Sequence, residues 1–130
     1  MPSYPLRSTI GAALAAFAFA PAASHATLPQ RATISCPHGQ DQMLTFRAPA
    51  KFGGLPKIDF DYPSKVTRFS FRDGNLLLVA MDESDASRVR IMISAQLNKA
   101  RGSYDGQIVI DYGGNELQLD NAPVHCTVRR

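Results

Sequence analysis

Cysteine and histidine occur together near both ends of this chain. Cys36 and His38 lie in "ISCPHG" (34–39), and His125 and Cys126 lie in "VHCTV" (124–128). Thiolate and imidazole are ligands for zinc or copper. A thiolate in a C-x-x-C pair is a redox centre, and two thiols in an oxidising compartment form a disulfide. The pattern C-x-H with H-C has no zinc-site spacing, and on a strand His125 points away from Cys126. The cysteines stand 90 positions apart, which removes the redox motif. A Cys36–Cys126 disulfide is therefore expected, with no metal and no other cofactor. Closing a loop of that length contributes roughly 4–5 kcal/mol in the chain-entropy model.

Other chemistry is sparse. A nucleophile needs a base beside it, His38 and His125 are the histidines outside the leader described below, and no G-x-S-x-G is present. Asp59 and Asp61 share one side of an alternating segment, as alternation alone produces. Asp82, Glu83 and Asp85 in "MDESDAS" (81–87) lack the glycine and spaced oxygens of a calcium loop. No catalytic residue is assigned.

The compartment follows from the first residues. Arg7 precedes an apolar run from Ile10 to Ala20, Pro21 breaks it, and Ser24 and Ala26 supply the small residues of a cleavage site. Residues 1–26 therefore read as a secretory signal peptide, too short in its apolar run to span a bilayer. Residues 27–130 are expected to form one domain, periplasmic or secreted, with no stable membrane anchor. The formal charge of the chain is +3, and losing Arg7 leaves a surplus too small to argue for nucleic acid.

Beyond Thr33 the apolar residues recur with a period near two, punctuated by turn residues. Strands are expected at 32–36, 43–48, 57–62, 65–72, 75–82, 88–97 and 122–129, with a further hairpin over 103–121 turned at Gly113-Gly114-Asn115. The expectation is an all-β fold: a small antiparallel β-sandwich or β-barrel of eight or nine short strands, its end strands joined by the disulfide.

Asp73-Gly74 is a two-residue hairpin turn. It sets Phe71 opposite Leu76, Phe69 opposite Leu78 and Arg68 opposite Val79. Phe69, Phe71, Leu76 and Leu78 then form a core side. The other side carries Arg68 and Arg72 beside Leu77, Val79 and Met81. If Val89, Ile91, Ile93 and Ala95 are inward, Arg88, Arg90 and Met92 join that second side, the parity being set by the loop 83–87. Left exposed, an apolar stripe rimmed by arginines is a partner surface; covered by the loop 48–56 or by another sheet, it is a second packed face. The loop "APAKFGGLP" (48–56) adds Phe52 and Leu55, as plugs for a partner's pocket or as a lid on the core.

"ISCPHG…LTF" with a cysteine near the C-terminus is similar in outline to periplasmic inhibitors of c-type lysozymes, small exported barrels whose end strands a disulfide can join. The tryptophan-bearing segment of that family has no counterpart in this tryptophan-free chain, and membership is not assigned. The expected function is non-catalytic: binding of a protein or an envelope component, inhibition included. Arg68, Arg72, Leu77, Val79, Met81, Arg88, Arg90, Phe52 and Leu55 are the candidate contacts. A barrel enclosing an apolar ligand among Phe69, Phe71, Leu78, Ile91 and Ile93 is the alternative, and a small hydrolase is the third reading.

Overall fold

The computed structural model describes residues 31–60 and 63–130. The expected signal peptide, 1–26, lies outside them. Seven strands follow in chain order: β1 (Thr33–His38), β2 (Gln42–Arg47), β3 (Ser64–Arg72), β4 (Asn75–Asp82), β5 (Val89–Asn98), β6 (Ser103–Asp111) and β7 (Leu119–Arg129). They form one antiparallel sheet in the order β2-β1-β7-β6-β5-β4-β3. The sheet curls into a half-barrel, and the two strands at its edges approach one another. Phe46 of β2 and Phe69 of β3 meet edge to face, with ring centroids 5.8 Å apart.

The inner face is built by alternation. Ile34, Cys36, Phe46, Leu76, Leu78, Ala80, Ile91, Ile93, Ala95, Ile108, Ile110, Val124 and Cys126 form one buried cluster. Leu78 and Ile93, paired across β4 and β5, are fully buried, and truncating either to alanine removes about 2–5 kcal/mol. Leu78, Ile91 and Ile93 belong to this buried cluster, with Phe69 and Phe71 partly buried against it.

Asp73 and Gly74 both have positive φ, 54° and 74°, the backbone of a type I′ turn. That turn fixes the β3–β4 register as Arg72↔Asn75, Phe71↔Leu76, Phe69↔Leu78 and Arg68↔Val79. A bulge at Thr67 shifts the pairing beyond it, so that Val66 faces Ala80.

Three expectations are corrected. Among the described residues the strand count is seven rather than eight or nine, in one curled sheet and not two stacked ones. Residues 57–60 of the expected strand 57–62 alternate in burial, with Ile58 and Phe60 packed on the core, yet they join no ladder. They lie on the connection between the two edge strands, where alternate side chains find the core but the backbone has no strand alongside. The expected strands at the C-terminal end merge into β7, which runs through Pro123. Pro123 pairs with Gln107 of β6, and the β1 pairing covers only residues 127–129 of β7. With one neighbour at that point, the ladder tolerates a residue without N–H.

Cys36 and Cys126 are disulfide-bonded, with Cα atoms 4.1 Å apart. The register Thr33↔Arg129, Ile34↔Val128, Ser35↔Thr127 leads directly to these two residues as the next pair. The bond joins the first and last strands of the chain, which lie side by side within the sheet and not at its edges. Replacing both cysteines by alanine is expected to lower unfolding free energy by about 4 kcal/mol, read from urea denaturation of oxidised protein and variant, with the β-sheet circular dichroism retained below the transition.

Candidate functional site

The outer face of β3, β4 and β5 carries the expected stripe. Cross-strand pairs place Leu77 beside Ser70 and Ser94, Val79 beside Arg68 and Met92, Met81 beside Lys65 and Val89, and Met92 beside Val109. Leu77, Val79, Met81 and Val109 are half-buried, while Met92 and Val89 are 38 % and 40 % exposed. Lys65, Arg68 and Arg72 form an exposed cationic row along β3, the neighbouring edge strand. Arg72 stacks its guanidinium 4.9 Å from the ring centroid of Phe52, a contact of the cation–π kind. Phe52 remains 83 % exposed at the tip of its loop. Leu55, 48 % exposed, borders a different recess with Lys51 and Lys57.

Arg88 and Arg90 sit elsewhere. Arg90 is the extra residue of a β-bulge, because Ala80 pairs with Ile91 while Met81 pairs with Val89. The bulge turns Val89 outward and puts Arg90 among buried groups, the inversion of parity that one slipped residue produces. The Arg90 Nε donates to Asp82 Oδ2 at 2.7 Å, and its Nη1 donates to the carbonyls of Asp111 and Gly113. Arg88 Nε donates to Asp111 Oδ2 at 2.6 Å, and its terminal nitrogens reach the carbonyls of Gly113, Gly114 and Glu116. Asp111 Oδ1 accepts the backbone N–H groups of Gly113 and Gln118. Two arginines and two aspartates thus hold the loop 112–118 against the end of the sheet. A Cβ at Gly113 would overlap the Glu116 carbonyl, so glycine is required there.

The charges in this cluster stabilise one another. The hydrogen bond from Arg88 holds the Asp111 carboxyl far below the usual range, against the opposing effect of burial. Arg90 lowers Asp82 in the same way, and Asp111 raises Arg88. These arginines are fully engaged within the domain and are not available as rim contacts for a partner.

A second polar cluster lies on the outer face of β6 and β7. Asp105 Oδ1 stands 2.9 Å from His125 Nδ1 and accepts from Ser103 Oγ at 2.8 Å, while Oδ2 accepts from Asn98 Nδ2 at 3.0 Å. These bonds, that of His125 foremost, hold Asp105 down at about 2. Ser103 gives its proton to the aspartate and not to the histidine, so this trio does not activate a hydroxyl. Among the described residues, no group of three or more His, Cys, Asp or Glu side chains is placed to hold a metal ion. Asp82 and Asp85 of the acidic loop accept hydrogen bonds from the loop itself, at Ser84, Asp85 and Ser87.

Fold and surface together define a class: a small β domain with a clasped half-barrel sheet and an apolar outer stripe edged by cations. No family model matches the chain, and neither a curated protein nor a solved structure matches it.

Two outcomes follow from the ionic groups. Arg90→Ala removes the cationic partner of Asp82, which keeps the N–H donors of Ser84 and Asp85, and is expected to be destabilising, measured as a lowered urea midpoint. Asp105 is depressed from its ordinary 3.8 to about 2, so its contribution is fully present above about pH 4 and is lost as pH falls towards 2. Urea midpoints measured between those values should fall less steeply for Asp105→Asn than for the unaltered protein.

Proposed function

We propose that this chain is an exported, non-catalytic binding domain that docks a protein partner on the outer face of β3, β4 and β5. The observation that carries this reading is the alignment of Leu77, Val79, Met81, Val89, Met92 and Val109 on one face, half-buried or exposed, beside the cationic row of Lys65, Arg68 and Arg72. A solvent-facing sheet surface ordinarily alternates to polar residues. Contiguous apolar side chains there are kept for contact. Charge complementarity selects the partner: an apolar protein surface bordered by Asp and Glu. Phe52 extends the same surface, since Arg72 at its border holds the ring.

Export is supported by the leader pattern of residues 1–26 and by the disulfide, a bond that persists in oxidising compartments. Among the described residues, no helix is long and apolar enough to cross a membrane.

The test is capture from envelope extract with photo-crosslinking residues placed at positions 77 and 92. The expected result is one protein crosslinked from both positions and its yield reduced about tenfold by Arg68→Glu/Arg72→Glu, with the melting temperature of the double variant unchanged. Equal yield from the double variant, or crosslinks from neither position, overturns the reading.

A further inference from the structure

A second surface, away from the apolar stripe, has a different chemistry. A groove of about 880 Å³ lies where β1, β2 and β7 meet the loop 48–57. Arg31, Arg47, Lys51, Lys57 and Arg129 line it, and among the described residues no carboxylate does. All five cations are exposed, and none forms an ion pair with a described residue. Every ion pair found among the described residues lies elsewhere, at Arg72, Arg88, Arg90 and His125.

The ladder explains the clustering. Thr33 of β1 is the register partner of Arg47 on one side and of Arg129 on the other. Three adjacent strands therefore present Arg–Thr–Arg on the outer face. The two arginine backbones stand two strand spacings apart, roughly 10 Å. That separation suits two distinct anionic groups better than one. Arg31 precedes the same strand, and Lys51 and Lys57 come from the loop opposite. The hydroxyls of Thr33 and Thr45 and the apolar edges of Pro49, Leu55 and Pro56 complete the lining.

We infer that this groove binds an acidic oligosaccharide, a linear chain of sulfated or carboxylated sugars, independently of the protein-docking face. The volume falls in the range of sites that enclose a ligand of several rings rather than a single ion. Arginine forks and lysines match sulfate and carboxylate, hydroxyls match sugar hydroxyls, and prolines and leucine offer flat apolar contact to the C–H faces of the rings. Single-stranded nucleic acid is disfavoured by the lining itself. Such sites stack bases on exposed aromatic rings, and the one aromatic among the described residues of this groove, Phe46, is buried in the core.

Calorimetry of the full protein with a heparin-derived hexasaccharide tests the inference. Parallel titrations use an uncharged glucose hexasaccharide, a dT oligonucleotide and vesicles of phosphatidylglycerol with phosphatidylcholine. Binding of the sulfated hexasaccharide, weakened about tenfold or more by Arg47→Glu/Arg129→Glu, is the expected result. Arg68→Glu/Arg72→Glu, which makes the same change of charge on the other face, should leave it unaltered. Equal weakening by both double variants would mean general charge attraction and would overturn the assignment. So would equal binding of the uncharged sugar, or binding of oligonucleotide or vesicles without the hexasaccharide. Loss of hexasaccharide binding with partner capture intact separates this groove from the docking face.

Discussion

The attachment of β1 to β7 is the constraint on which the remaining architecture rests. These strands come from opposite ends of the sequence, and only three residue pairs of ladder precede the cystine that seals them. Without that attachment the hairpin β1–β2 has no sheet to join, Phe46 has no route to Phe69 across the open side, and the inner face of β7 loses Ile34 and Phe46 as cover. A sheet of this size in a small domain buries a modest core. A covalent bond at the longest-range pairing acts where chain entropy opposes folding most strongly.

Charge is used in two ways within one fold. At one end of the sheet Arg88 and Arg90 are sequestered with Asp82 and Asp111, and their role is to fold the loop 112–118 back. A desolvated network of this kind is retained for definition of structure as much as for stability. On the outer surface the arginines of β2, β3 and β7 have been left largely without acids beside them. Position in the ladder, and not residue type, separates the two uses.

Local features were legible in the sequence because local chemistry produces them. Asp73-Gly74 dictated a turn with two positive φ angles, and the register of Phe69, Phe71, Leu76 and Leu78 followed from it. The pairing of Cys36 with Cys126 followed from having two cysteines and an expected export route. The bulge at Arg90 was not legible: Val-Arg-Ile alternates as written, and only the acceptors Asp82 and the Gly113 carbonyl make it favourable to turn the arginine inward. Residues 57–60 alternate like a strand because alternate side chains reach the core, which is a different requirement from ladder pairing. Arg47, Thr33 and Arg129 are far apart in sequence and became neighbours through a register that no local pattern encodes.

The strand order has a further consequence for how the domain assembles. From β3 to β7 every strand lies beside the next in sequence, an unbroken meander over residues 64–129. The β1–β2 hairpin is likewise formed by sequence neighbours, and its docking on β7 is the most distant pairing among the described strands, so nucleation is free to begin in the meander before the amino-terminal part is engaged. Rejoining the ends at Thr33 and Arg129, which are already ladder partners, and cutting within 48–63 would give a circular permutant running β3 through β7, then β1 and β2. Its strand sequence would equal its strand order, turning the end-to-end closure of the natural chain into one more hairpin.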